Sequence, residues 1–426
     1  MISVIVPLEM LTEFWGGSGV HSNEILKRLS KVTDILILPY INDMVNFNNK
    51  NNRKICEVYN NLPYHFPKVI LKLCSGDKIK LNEAVKELSE EAKQTDLIYE
   101  PSLRITLNVR SFSDKIRLIA KSLRNPVYCS EDLVFDSFCI AKKSNRNLIS
   151  VIHPDFRSYK EGLRVAYYGV KYHFDHPLSM LTTTLIYRNI LKINYLIKDP
   201  VFKNLLSVSK AIQYLNLSYE KVRILKVANA FDKNLLKFRT KKKEDYLVFW
   251  ARLYSLKGIL EIPYIIWELV KKYNDIKLML FGKFCKETEK DYFFYLLKKL
   301  GIERNVEYLG FLPEEKKYEI VSKARAVLYP SHSDSFSLVI LESLALGTPV
   351  VAYDLLGPRS VYEGLSAVKF VKEFDIKGMA REVLKLINMK DEEYYALIYN
   401  RQLDAFLEEH SSWDKVAEEI FTYLFN

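Results

Sequence analysis

The residues best able to do chemistry lie in one run, Tyr-Pro-Ser-His-Ser-Asp-Ser-Phe-Ser-Leu-Val-Ile-Leu-Glu-Ser-Leu-Ala-Leu-Gly-Thr-Pro, from Tyr329 to Pro349. It reads as the end of a strand, a polar loop, a helix and a stop. Serine and aspartate suit the helix entrance, Phe336, Val339, Ile340, Leu341 and Leu344 supply a core face, and Gly347 with Pro349 ends the helix. A helix that starts there aims free backbone N–H groups into a crevice, where hydrogen bonding and the helix dipole together favour a diphosphate. Glu342 falls two turns inside, among apolar neighbours, where a carboxylate needs a partner such as a ribose diol.

Cations come from a second run, Trp250-Ala251-Arg252-Leu253 followed by Lys257-Gly258, directly after an apolar strand. At a strand's carboxyl end, Arg252 and Lys257 can neutralise a departing diphosphate without a metal. A third run, Trp15-Gly16-Gly17-Ser18-Gly19-Val20-His21, gathers three of only fourteen glycines before a helical stretch at 20–31 and lets backbone approach a ligand. It is not the dinucleotide fingerprint G-x-G-x-x-G. His153 ends the apolar run Leu148–Ile152, and a strand's carboxyl end is where open α/β sheets bind ligands. No Asp-x-Asp, His-Glu-x-x-His or Cys-x-x-Cys is present, so no metal site is expected. His173, Asp175 and His176 read as a loop before Pro177.

A Pro-Ser strand end, two acids eight residues apart (Asp334 and Glu342) and Gly-Thr-Pro-Val-Val resemble glycosyltransferase family 4, of the group 1 glycosyl transferase type. The family signature has two glutamates at that spacing; here the first acid is shortened to Asp334, and Ser335 and Ser337 stand where glycines are common. The resemblance extends to the Arg252 and Lys257 element, to the Leu309-Gly310-Phe311-Leu312-Pro313 turn, to the Gly16-Gly17 loop and to His153-Pro154-Asp155, whose proline is an insertion in the family's His-Asp. Ser207–Lys210, Val227–Asp232 and Ser412-Trp413-Asp414 are similar to the segments that close the first domain and recross the linker.

That resemblance implies a GT-B fold, α/β with two Rossmann-like doubly wound domains facing across a cleft. It implies transfer of a sugar from a nucleotide-diphospho-sugar, such as a UDP- or GDP-sugar, to an acceptor hydroxyl on a glycan, glycolipid or lipid-linked phosphate, with retention and no cofactor. The catalytic residues would be His153, Asp334, Arg252 and Lys257. Donor binding would fall to Gly17, Arg252, Lys257, Leu312, Asp334, Ser335, Phe336, Ser337, Leu338 and Glu342. Rival readings on the same scaffold are a nucleotide-sugar epimerase, a phosphorylase, or a non-catalytic sugar or nucleic-acid binding module.

The elements that must position these residues are legible in the hydrophobic pattern. Apolar runs at 246–251, 276–281, 306–309, 326–329, 349–353 and 367–371 alternate with helical periods such as 259–273 and 287–300, the order of a doubly wound parallel sheet. The first half offers strands at 2–6, 34–38, 96–99, 126–129, 148–152, 205–208 and 222–227. The charged run 232–245 reads as a linker without an apolar face, giving an acceptor domain over 1–231, a donor domain over 246–410 and a C-terminal helix over 411–426 that packs back.

With 426 residues, 49% apolar and 27% charged, the chain holds enough nonpolar surface for two cores and is not disordered. Five unclustered cysteines argue against a disulfide framework and for a reducing cytoplasm. Met1–Pro7 reads as a strand rather than a leader, and charges interrupt the most apolar stretch, 178–197, so no spanning helix is expected. The net charge of +11 belongs to the first half: residues 101–230 hold 21 Lys and Arg against 9 Asp and Glu. The Tyr-rich basic stretch 157–198 suits peripheral contact with the inner face of a membrane bearing a lipid-linked acceptor, in preference to nucleic acid.

Overall fold

The computed structural model describes the chain except for residues 13–15, 48–52, 104, 108–110, 125–128, 131–132, 154–192 and 216–218. Two six-stranded parallel sheets organise it. The first contains β1 (Ile2–Val6), β2 (Ile35–Pro39), β3 (Leu97–Glu100), β6 (Asn147–Ile152), β7 (Phe202–Ser207) and β8 (Val222–Ile224), in the order β2-β1-β3-β6-β7-β8. A separate antiparallel pair, β4 (Ile105–Leu107) with β5 (Leu133–Phe135), was not expected from the sequence. The expected strand at 126–129 lies almost wholly outside the described residues.

The second sheet contains β9 (Tyr246–Trp250), β10 (Lys277–Phe281), β11 (Val306–Tyr308), β12 (Ala326–Tyr329), β13 (Val350–Tyr353) and β14 (Val368–Val371). Its order, β11-β10-β9-β12-β13-β14, reverses direction between β9 and β12, so a crevice opens at their carboxyl ends. These strands are apolar throughout because helices cover both faces of a parallel sheet, and Leu247, Val248, Phe249, Val327 and Leu328 are wholly buried.

The run 232–245 is more than a tether. Leu235 is buried, and the Lys243 amine reaches Ser322 O (2.5 Å), Gly347 O (2.6 Å) and Thr348 Oγ1 (3.1 Å). Burial, with Arg239 and Arg325 nearby, pushes that amine down to about 7. The absence of an apolar face in this segment is therefore corrected: Leu235 is buried, and Leu236 and Phe238 pack against the same cluster, Phe238 with its ring 5.8 Å from that of Tyr318.

Helix Trp413–Phe425 packs back on the first half. Asp414 pairs with Arg28 at 2.6 Å, and the Glu419 carboxylate accepts from the backbone N–H groups of Lys226 (2.8 Å) and Val227 (3.0 Å). Trp413 is buried in a hydrophobic cluster shared by residues of both sheets.

The cysteine reading is also corrected. Cys56 is bonded to Cys74 and Cys129 to Cys139, which leaves Cys285 as the free, exposed thiol. Packing of the short helix Ile55–Val58 near helix Lys68–Cys74 brings the first pair together, and no sequence spacing reports that. The expectation of a reducing compartment loses its cysteine argument. Among the described residues no helix is long and apolar enough to cross a membrane. The basic stretch 157–198, with His173, Asp175 and His176, lies almost entirely outside the described residues.

Candidate functional site

After β12 the chain turns through Pro330–Ser337 into helix Leu338–Ala345. Ser337 is the N-cap: its Oγ accepts from Ile340 N at 3.3 Å, and Tyr362 OH donates to its carbonyl at 2.9 Å. Its φ of +74° lies in the left-handed region, where glycine is unstrained and serine costs about 1–2 kcal/mol. The hydroxyl offsets part of that strain by capping a helix that glycine would leave uncapped. Gly357 lies directly beneath this loop, and a Cβ there would sit 2.5 Å from the carbonyl oxygens of both Asp334 and Ser335. Only glycine lets helix Leu356–Tyr362 close on the loop.

Asp334 and Lys257 meet, but against each other. Asp334 Oδ2 accepts from Lys257 Nζ (2.8 Å), Tyr329 OH (2.7 Å) and Ser331 Oγ (2.7 Å), and the Lys257 amine also donates to Ser333 O (2.7 Å). Burial opposes the charge on Lys257, yet Asp334 together with Tyr329 and Tyr254 outweighs it and holds the ammonium above its ordinary value. The pair is nearly neutral as seen from the crevice. Asp334 Oδ1 makes no hydrogen bond among the described residues and remains available to a ligand hydroxyl.

Neighbouring His332 was not read as functional. It is buried between Glu261 and Glu373, each 2.8 Å from a ring nitrogen, and stacks on Phe374. Burial alone would lower its pKa, but the two carboxylates raise it above the ordinary value. This fixes the loop from below.

Arg252 is the exposed cation of the crevice. Its guanidinium carbon lies 3.3 Å from where a Cβ on Gly16 would be, so the second domain's cation abuts the start of the first domain's helix Gly16–Leu29. Gly16 has a φ of +79° and is the position that needs glycine; a Cβ on Gly17 would make ordinary contact with Leu338 at 3.5 Å. Trp15 lies outside the described residues.

Glu342 faces Lys317 at 3.8 Å, and the Lys317 ammonium sits over the rings of Tyr318 (4.4 Å) and Trp250 (4.9 Å). Burial raises the Glu342 pKa, Lys317 opposes the rise and Glu314 adds to it. A desolvated carboxylate with one distant cation is suited to accept from a diol. The sequence reading missed Lys317 because only the fold carries helix Glu314–Lys323 to this point.

Leu312 is half-buried after Gly310, whose φ is +70°, while Phe311 stands 82% exposed beside it. Phe336 is committed to the core, its ring against Tyr362 and His410, each at 5.7 Å. Ser335 and Leu338 are half-buried at the loop and at the first helical turn.

On the opposite wall, His153 follows β6 with Nε2 3.3 Å from Pro101 O. Its ring meets that of His21 edge-on at 5.3 Å. His21, also missed, is completely buried; Nδ1 lies 3.0 Å from Ala228 O and 3.3 Å from Asn229 Oδ1. Burial pushes its pKa down to about 4 against those two hydrogen bonds, so the ring is neutral, Nδ1 donates, and Nε2 has no partner among the described residues. Asp155 falls outside the described residues.

The chain is similar to known proteins in part of its sequence and in its fold. Residues 231–403 match the family described as glycosyl transferases group 1. The D-inositol 3-phosphate glycosyltransferase of Corynebacterium urealyticum is 30% identical over 188 residues, 40% of this chain and 41% of the relative. The N-acetyl-alpha-D-glucosaminyl L-malate synthase of Bacillus anthracis is 25% identical over 43% of this chain and 46% of its own length. The match thus spans less than half of each curated relative. In fold, the chain is similar to Anabaena HepE, solved with UDP and glucose, with a TM-score of 0.62, 15% identity and coverage of 99% of this chain and 98% of that one. Residues 231–403 are thus similar to the group 1 glycosyl transferases, and the two six-stranded sheets share the fold of HepE over nearly the whole chain.

Proposed function

We propose that this protein transfers a sugar from a nucleotide-diphospho-sugar, UDP- or GDP-linked, to an acceptor hydroxyl with retention and without a metal. One observation carries the reading: the capped start of helix Leu338–Ala345, Glu342 just past its first turn, and Arg252 against Gly16 converge on a single crevice. Glu342 accepts from the ribose diol. Arg252 and the free N–H groups of the helix stabilise the diphosphate as it departs. Lys257 acts by positioning Asp334, whose free Oδ1 addresses a hydroxyl of the sugar. His153 lies where the sugar and the acceptor meet, and closure of the domains excludes water that would hydrolyse the donor.

Calorimetric titration with UDP and GDP tests donor binding. Arg252→Ala and Glu342→Ala are expected to weaken it by about 10- to 100-fold. Product analysis with the matching nucleotide sugar is expected to give a new glycoside and free nucleotide diphosphate. An altered sugar still joined to its nucleotide would make the protein an epimerase, and binding without turnover would make it a binding module.

A further inference from the structure

His332 is a buried titratable group that the transferase reading leaves unused, and it stands where three loops meet. Its side chain is 1% exposed, and those of Glu261 and Glu373, whose carboxylates lie 2.8 Å from Nε2 and Nδ1, are 7% and 11% exposed. Glu261 follows the Lys257-Gly258 turn beyond β9 and precedes helix Ile262–Val270. His332 belongs to the loop beyond β12, and Glu373 to the loop beyond β14. One imidazole therefore ties together segments that follow three strands of the second sheet.

The geometry fixes the proton count. A neutral imidazole has one N–H, so one of the two contacts would set a ring lone pair against a carboxylate oxygen in a desolvated site. Both contacts are hydrogen bonds only when the trio holds one more proton, and imidazole is a stronger base than either carboxylate. Phe374 fits the same state: it holds a φ of +67°, strained for a phenylalanine, and its ring stacks on the imidazole with centroids 4.5 Å apart, a contact that favours a cation. Tyr353 also faces the ring, at 5.3 Å, and burial keeps its phenol neutral. Asp375, on the same loop as Glu373, accepts from Gly378 N at 2.8 Å as a helix cap.

The residues on either side of His332 connect it to the crevice. Ser331 Oγ donates to Asp334 Oδ2 at 2.7 Å, the Ser333 carbonyl accepts from Lys257 Nζ at 2.7 Å, and His332 N itself donates to Leu256 O at 2.8 Å. A shift of His332 would thus move both halves of the Asp334 and Lys257 pair. We infer that His332 is a positioning residue for nucleotide binding: as an imidazolium shared by Glu261 and Glu373 it pins the loops of Lys257, Asp334 and Glu373 together, and loss of its proton loosens them. The inference rests on the transferase reading above. Its sign follows from the trio, because the two carboxylates hold the ring's pKa above 6.5, and beyond that folded value one buried carboxylate loses its donor. Nucleotide affinity then falls as pH rises, and by linkage nucleotide binding takes up a proton in the same range.

The test follows UDP and GDP affinity by calorimetry of the full chain as pH is raised from neutral, together with hydrogen exchange at the amides of Ser331–Ser337 corrected for the intrinsic rate. The parent is expected to lose affinity by about 10-fold across the titration of His332 and to lose loop protection over the same range. Glu373→Gln keeps the ring and removes one anion, so it should move both transitions to lower pH by about 1–3 units. His332→Gln should bind about 10-fold less tightly near neutral pH and show neither transition, which also separates the effect from ionisation of the nucleobase. Loop protection that ignores pH, transitions that persist in His332→Gln, or transitions that stay in place in Glu373→Gln overturn the proposal, and the last of these does not depend on a variant that lacks the ring. A parent that binds neither nucleotide while its loop still follows His332 would instead sink the transferase reading.

Discussion

His21 and His332 are both buried, and they respond to pH in opposite directions. His21 binds its proton only near pH 4 when folded, against an ordinary value of 6.5. Between those values the unfolded chain takes up a proton that the native chain refuses, so stability contributed by the neutral ring is present above pH 6.5 and lost as pH falls. The full loss is roughly 3 kcal/mol. In urea unfolding at pH 7 and pH 4.5, His21→Asn should lose less stability on acidification than the parent; an equal loss would show that His21 does not carry it. His332 is raised instead, so its contribution is complete below pH 6.5 and fades as pH rises through its folded value. The Asp334 and Lys257 pair makes a second prediction at this scale. Both side chains are only 12–13% exposed, so Lys257→Met or Asp334→Asn alone strands a polar partner and should cost about 3 kcal/mol. The double variant should cost clearly less than the sum in denaturant unfolding. Additive losses would mean that the two do not act as a unit.

At the scale of elements, the loop Pro330–Ser337 is held by a strained cap above and a glycine below. Ser337→Ala keeps the positive φ and loses the cap, and should lower stability by about 1 kcal/mol; Ser337→Gly removes both and should be nearly neutral. Gly357→Ala forces a Cβ into two backbone carbonyls that cannot yield independently, and should cost about 1–3 kcal/mol and weaken nucleotide binding. Thermal unfolding with and without UDP reads both effects. Much of this was visible in the sequence: the serines at glycine positions, the helix start and the Gly-Thr-Pro stop were all legible. That Gly357 supports the loop was not, because the carbonyls it meets, of Asp334 and Ser335, lie in a separate element earlier in the chain.

The whole molecule is held together by the return of helix Trp413–Phe425 to the first half. Glu419 caps two backbone N–H groups of the segment leading to Asn229, and Asn229 in turn joins His21 through its side chain to His410 through its carbonyl (2.7 Å). Glu419→Ala should leave those N–H groups without their carboxylate and cost about 1–3 kcal/mol. Hydrogen exchange should then quicken at Lys226 and Val227 while β9 to β14 keep their protection. Unchanged exchange at those two amides would show that the helix returns without fixing the junction.

The sequence by itself determined the strands of the second sheet to within a residue or so, since buried parallel strands must be apolar without interruption and helices between them must be amphipathic. It also placed Arg252, Lys257 and Asp334 just beyond the carboxyl ends of those strands and Glu342 inside the helix that follows one of them. Tertiary structure alone decided which of these groups remain free for a ligand. Lys257 is spent on Asp334, Phe336 is spent on the core, and Gly16 rather than Gly17 takes the left-handed turn. His21 meets Asn229 across 208 positions, and the disulfides join helices whose approach no local pattern encodes. The physical reason is range: periodicity and capping are local, whereas burial, pairing and the pKa shifts they cause depend on contacts that exist only once the chain has closed.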